Sequence, residues 1–108
     1  MKTPSAAGAI YSAIPQDLPG EIAETLVKSD TVKIERIVSE GQHSPPGFWY
    51  DQDCSEWVLL LKGEAELRFE DRTVHLTEGM YINIAAHEKH RVEWTSKEMQ
   101  TVWLAVFY

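Results

Sequence analysis

Residues Glu56–Gly63, EWVLLLKG, place a carboxylate at the first position of a strongly apolar run. In an extended strand, Val58 and Leu60 share the side of Glu56, while the residues between them point to the opposite face. A carboxylate that leaves water is unfavourable unless a hydrogen-bond donor, a positive charge or a metal ion compensates for the lost hydration. The stretch therefore predicts a buried strand and a polar partner for Glu56 elsewhere in the chain.

Turn residues divide the rest of the chain into short strands from Thr31 onward, spaced roughly 8–12 residues apart. This spacing is typical of an all-β sandwich or barrel. Extended chain is also expected at 48–50, after the rigid Pro45-Pro46-Gly47 break. The predicted strands cover residues 32–38, 56–62, 65–69, 73–76, 81–84, 90–94 and 101–108.

One short helix is predicted before these strands. In residues 19–28, PGEIAETLVK, the apolar positions 22, 23, 26 and 27 form one face at a 3.6-residue period. Pro19 suits a first helical turn, and Lys28 suits the negative end of the helix dipole. Residues 1–30 are thus expected to form an arm with this helix. Residues 31–108 are expected to form the barrel of a single domain.

Charge and cysteine content exclude some classes of partner. The net charge of −7, without a basic stripe, argues against nucleic acid or an anionic membrane, because both need clustered Lys and Arg. The lone Cys54 cannot form an internal disulfide, which favours a reducing compartment. The sequence shows neither the apolar core of a signal peptide nor a membrane span, so we expect a cytoplasmic protein.

Two predicted strands, 56–62 and 101–108, are apolar on both faces. A strand of a small barrel normally exposes one face to water, so the second apolar face requires a cover. The predicted helix is too short to cover both strands. We therefore expect a homodimer in which these strands take part.

The spacing of four residues resembles the two motifs of the cupins. The first motif, G-x5-H-x-H-x3,4-E-x6-G, is represented by its final part at Glu56 and Gly63. The second, G-x5-P-x-G-x2-H-x3-N, is represented by Gly79 and His90. The resemblance extends over residues 31–108 and implies an all-β double-stranded β-helix, the jelly-roll barrel of small single-domain cupins.

Cupin barrels typically hold a divalent metal through the histidines of both motifs and the glutamate of the first, so the resemblance implies ligands at Glu56 and His90. Both histidines of the first motif are missing. Asp51 or Gln52 stands at the second histidine position, depending on the spacing, and Trp49 would offer no lone pair at the first. Asp51 could supply a third ligand, and the set Asp51, Glu56 and His90 would suit Mn(II), Fe(II) or Mg(II) better than Zn or Cu.

Three interpretations of this pair stay open. In the leading one, a metal held by Asp51, Glu56 and His90 serves a dioxygenase- or isomerase-like enzyme, with Glu56 and His90 as catalytic residues. In the alternative, no metal binds, and the pair anchors a ligand or transfers a proton in a small-molecule-binding or sensing barrel. In the third, the two residues only satisfy one another. Whether the chain is an enzyme is left open. The cavity is further expected to be lined by Trp49, Tyr50, Gln52, His43 and His87.

Overall fold

The computed structural model of the protein describes residues 5–108, so the first four residues of the predicted arm lie outside the described residues. The described residues form eight β-strands. These are β1 (Ile22–Lys28), β2 (Lys33–Ser39), β3 (Glu56–Lys62), β4 (Glu64–Phe69), β5 (Thr73–Thr77), β6 (Tyr81–Ile84), β7 (His90–Thr95) and β8 (Thr101–Phe107).

The strands form two antiparallel sheets, which confirms the all-β fold class. One sheet has five strands in the order β1-β2-β8-β3-β6, and the other has three in the order β5-β4-β7. Alternation along β4 turns Ala65, Leu67 and Phe69 inward, and these side chains are almost fully buried. The core between the sheets is formed by Val58, Leu60, Ala65, Leu67, Phe69, Leu76, Ile84, Trp103 and Ala105.

The predicted N-terminal helix is wrong, because residues 22–28 form strand β1 at the edge of the larger sheet. Ile22 pairs with Val38, and the ladder continues to Lys28 opposite Lys33. An apolar pattern over so few residues fits either period, and pairing with β2 satisfies the backbone of one side of the strand. Residues 5–108 contain no helix long and apolar enough to cross a membrane.

The N-terminal arm covers part of the outer face of the five-stranded sheet. Leu18 packs with Val38 and Val102 in a second, smaller apolar cluster. The buried guanidinium of Arg36 donates hydrogen bonds to the carbonyl oxygens of Ile10 and Ser12 and so fastens the arm. The remainder of this face is half-buried or exposed, at Ile34, Trp57, Leu59, Tyr81, Leu104 and Val106. The expected homodimer would cover these side chains, and it stays a prediction.

The turn between β3 and β4 depends on Gly63. Its φ angle is +97°, in the left-handed region that residues with a side chain rarely adopt. A Cβ atom at this position would lie 2.6 Å from Cα and 2.8 Å from Cβ of the buried Thr101. Thr101 also contacts the next residue, since its hydroxyl accepts a hydrogen bond from the backbone N–H of Glu64. The glycine seven residues after Glu56 therefore lets the chain pass from one sheet to the other.

Candidate active site in the barrel cavity

A cavity of about 200 Å³ lies between the two sheets. Its walls are mostly apolar, and its polar groups come from the residue before β1, from β2, β3 and β7, and from the loop before β3. The lining residues are Glu21, Ala23, Glu35, Ile37, Tyr50, Gln52, Glu56, Val58, Leu67, Ile84, His90, Val92, Trp103 and Phe107. Mostly apolar walls with a few convergent polar groups are typical of sites for small molecules.

Glu56 and His90 meet inside this cavity, although 33 residues separate them in the sequence. Glu56 Oε1 lies 3.6 Å from His90 Nε2, and the two side chains are only 12% and 5% exposed. The distance is longer than a hydrogen bond, so the two groups form an ion pair when His90 is protonated. Each group compensates for part of the other's lost hydration, as the sequence requires for a carboxylate at the start of β3.

The His90 ring is held in one orientation by its surroundings. Its Nδ1 lies 2.9 Å from the carbonyl oxygen of Glu88, so Nδ1 carries a proton and Nε2 faces the cavity. Tyr50 forms an isolated backbone bridge with His90, and its ring stacks on the imidazole at 5.3 Å between centroids. Burial alone lowers the pKa of His90, but the Glu56 carboxylate and the Glu88 carbonyl outweigh that effect and raise the pKa above its ordinary value.

Gln52 is the third polar side chain of this cluster. Its amide nitrogen donates a hydrogen bond of 3.0 Å to Glu56 Oε1. Asp51 points elsewhere: its Oδ1 lies 2.8 Å from His87 Nδ1, and both side chains are largely exposed. The loop before β3 therefore turns Gln52, and not Asp51, toward the cavity.

Two further carboxylates lie at the mouth of the cavity, on β2 and just before β1. Glu21 Oε2 accepts a hydrogen bond of 2.9 Å from the hydroxyl of Ser39, which in turn accepts one of 3.3 Å from the indole N–H of Trp103. Burial raises the pKa of Glu21, the Ser39 hydrogen bond opposes this, and the negative charge of Glu35 adds to it. Glu35 itself is 3.3 Å from the ammonium group of Lys33.

Comparison with known families decides the identity of this barrel. A model of the cupin domain matches residues 35–107, which is most of the chain and includes both motif fragments. The chain belongs to the cupin family. No curated protein matches it.

Several solved structures resemble nearly the whole chain. A protein from Ralstonia eutropha, named a putative mannose-6-phosphate isomerase, has 40% sequence identity and a TM-score of 0.92, with 95% of this chain and 97% of that chain covered. A cupin superfamily protein from Desulfitobacterium hafniense has 21% identity and a TM-score of 0.77, covering 96% and 92% of the two chains. A protein of unknown function from Streptococcus pyogenes has 20% identity and a TM-score of 0.73, covering 98% and 89%.

The residues around Glu56 do not fit the metal centre that the cupin motifs imply. Within residues 5–108, no three His, Cys, Asp or Glu side chains are grouped closely enough to hold an ion. Asp51, expected as the third ligand, is paired with His87 on the surface. Gln52 directs its amide N–H at Glu56, and the opposite amide orientation would set an oxygen against the carboxylate oxygen.

The remaining expected lining residues divide into two groups. Tyr50 and Gln52 line the cavity of this cupin. His43 and Trp49 do not, since they border a separate outer groove together with Arg91. His87 is also absent from the cavity because it lies on the exposed surface beside Asp51. The loop before β3 therefore brings Tyr50 and Gln52, but not His43 or Trp49, to the barrel interior.

Sequence reasoning missed the acidic mouth of the cavity. Glu35 shares the inward face of β2 with Ile37, a signal that strand alternation could have provided. Glu21 was missed because it lies within residues 19–28, for which a helix was predicted. Trp103 forms part of both the core and the cavity wall.

Proposed function

We propose that this cupin binds a small organic molecule in its cavity and does so without a resident metal ion. The carrying observation is the hydrogen bond from Gln52 to Glu56, because it places an amide donor where a metal centre would need another ligand. Glu56 and His90 then serve as polar anchors for the ligand. This corresponds to the alternative in which no metal binds and the pair anchors a ligand.

The composition of the cavity supports a small ligand. Its walls carry aliphatic and aromatic side chains that would pack against an apolar body, whereas the polar groups lie in two places, at Glu56–His90 and at Glu21–Glu35. The volume of about 200 Å³ is below the range of roughly 300–1,000 Å³ that is typical of pockets for drug-sized molecules. The ligand is therefore a small metabolite.

A second function, metal-independent proton transfer, is favoured by the Glu56–His90 pair itself. A carboxylate and an imidazole that face one another in a mostly apolar cavity can remove a proton from a bound molecule and return it at another atom. The Ralstonia relative is named as an isomerase, and isomerisation of a sugar requires such a transfer between neighbouring carbons. Proton transfer by this pair would leave the ligand-binding proposal intact.

Elemental analysis of protein purified without chelator tests the metal-free proposal. We expect the metal content to be far below one ion per chain and unchanged in Glu56→Gln. Glu70→Gln is the matched control, since Glu70 is exposed and outside the cavity. A stoichiometric metal ion that is lost in Glu56→Gln and retained in Glu70→Gln would refute the proposal.

Thermal-shift screening against a metabolite collection tests ligand binding. A true ligand at 100 times its Kd adds about 2.7 kcal/mol to the free energy of unfolding. Ala23→Phe should abolish this stabilisation, because Ala23 lies at the cavity on the exposed strand β1 and a larger ring would obstruct it. Thr73→Phe, on the exposed edge of β5, is the control and should retain it. Incubation of each ligand in D₂O, followed by NMR, reports proton transfer at carbon.

A further inference from the structure

The charges that face the cavity are predominantly negative. Glu21, Glu35 and Glu56 line it, and within residues 5–108 His90 is the single basic side chain of the lining. Protonation of His90 would balance only one of these carboxylates. Lys33 neutralises Glu35 in part from outside the lining, where its ammonium lies over the ring of Phe107.

Tyr50 lies in the same negative environment. Burial raises the pKa of its hydroxyl, and the charges of Glu21 and Glu56 raise it further. A second anion in this cavity would experience the same repulsion. An anionic ligand is therefore disfavoured.

The two arginines near this region do not counter the carboxylates. Arg36 is turned to the outer face of its sheet, where it contacts Glu24 and the arm. Arg91 donates hydrogen bonds to backbone carbonyl oxygens, including those of Ser44 and Pro45. A phosphate group in the cavity would thus lack the guanidinium partners that usually bind it.

One polar atom of a buried side chain faces the cavity without a hydrogen bond. His90 Nε2 makes none with the described residues, although the side chain is 95% buried, because Glu56 Oε1 is 3.6 Å away. With Nδ1–H donating to Glu88, the neutral ring presents the Nε2 lone pair to the cavity. A ligand N–H that reaches this atom would also lie close to the Glu56 carboxylate.

We infer that the ligand of this cavity is a small organic cation, a primary amine on an apolar body. This inference rests on the proposed small-molecule function and names its ligand class. The ammonium group donates to a carboxylate and, when the His90 imidazole is neutral, also to its Nε2, while the apolar body packs on Val58, Ile84 and Trp103. The mannose 6-phosphate in the name of the Ralstonia relative has the opposite charge and does not suit this cavity.

Three probes of one shape test the inference: benzylamine, benzyl alcohol and benzoate carry charges of plus one, zero and minus one on the same ring. Titration of the intact protein, followed by amide NMR shifts of cavity residues, gives each Kd. We expect benzylamine to bind about tenfold or more tightly than benzyl alcohol, since a charged hydrogen bond is stronger than a neutral one. Benzoate and mannose 6-phosphate should leave the cavity residues unshifted.

Variants at the mouth identify the groups responsible. Glu21→Gln with Glu35→Gln should reduce the preference for benzylamine over benzyl alcohol severalfold, and Glu70→Gln should leave it unchanged. Glutamine at position 21 retains an acceptor for the Ser39 hydroxyl, so we expect the double variant to fold. Should it unfold, Glu35→Gln alone tests whether the preference for benzylamine over benzyl alcohol falls.

The outcomes separate this inference from the proposed function. Binding of benzoate or benzyl alcohol at least as tight as that of benzylamine would overturn the cationic ligand class and leave cavity binding intact. A cavity that is unshifted by every probe, in a protein that also yields no ligand in the metabolite screen, would overturn both.

Discussion

Replacement of Gly63 by alanine should destabilise the protein more than any other single methyl addition at a turn. The added Cβ would lie 2.6 Å from Thr101 Cα, whereas carbon atoms that are not bonded prefer separations of about 3.5–4.0 Å. Thr101 is fully buried in β8 and cannot move aside alone. The turn or the strand must therefore shift by nearly 1 Å.

The expected magnitude has two parts. A side chain in the left-handed region costs about 1–2 kcal/mol, and overpacking of a well-packed site costs about 1–3 kcal/mol more. Gly63→Ala should thus lower the free energy of unfolding by about 2–5 kcal/mol, a large share of a typical 5–15 kcal/mol. Gly79→Ala is the matched control, because Gly79 has a φ of +85° and open space around its Cβ position. Gly79→Ala should lose only the cost of the left-handed backbone conformation, about 1–2 kcal/mol.

Urea denaturation followed by tryptophan fluorescence measures both variants. Gly63→Ala should show the lower midpoint with an unchanged slope, which would indicate loss of stability without a change in the unfolded state. Equal losses in the two variants would show that backbone conformation alone explains the glycine and would refute the steric argument. If Gly63→Ala lowers the free energy of unfolding by less than about 1 kcal/mol, both the conformational and the steric argument are refuted.

Three further predictions concern the site and the assembly. Because the pKa of His90 is raised in the folded protein, protonation of this residue contributes fully to the free energy of unfolding below about pH 6.5. As the pH rises through the folded pKa, the free energy of unfolding should fall by up to about 1.4 kcal/mol per pH unit. Glu56→Gln should flatten this decline in pH-dependent denaturation and lower the pKa of His90 measured by NMR; an unchanged titration would contradict the pairing. Gln52→Ala should alter ligand affinity, whereas Asp51→Asn should not. Isothermal titration with any ligand found by screening measures both affinities. An effect of Asp51→Asn without an effect of Gln52→Ala would show that Asp51, and not Gln52, faces the ligand. Light scattering after size-exclusion chromatography should give a dimer for the native protein and a monomer for Leu104→Glu, and a native monomer at micromolar concentration would exclude the dimer.

The sequence predicted most of the barrel because its strands follow simple rules. Alternation and turn residues located seven strands to within one or two residues, and the bounds of Glu56–Lys62 and Tyr81–Ile84 agree with the structure. The meeting of Glu56 with His90 was also predictable, since a carboxylate on the inward face of a buried strand requires a partner and the motif spacing supplies one.

The errors fall where periodicity carries no information. Residues 22–28 were too few for the pattern to separate a helix from a strand, and Ile22, Thr25 and Val27 are β-branched residues that favour strands. The loop before β3 has no regular alternation, so neighbouring Asp51 and Gln52 could not be assigned to opposite sides. Their orientation depends on three-dimensional contacts, among them the hydrogen bond between Asp51 and His87.

The hydrogen-bond chain from Trp103 through Ser39 to Glu21 gives the barrel a built-in optical reporter. Trp103 is the only tryptophan among the residues that line the cavity, and its indole N–H is coupled to a carboxylate at the mouth. Indole emission depends on the polarity and hydrogen bonding around the ring. In a variant in which phenylalanine replaces the other three tryptophans, ligand binding in the cavity would therefore shift the fluorescence emission wavelength of Trp103, with no added dye or label.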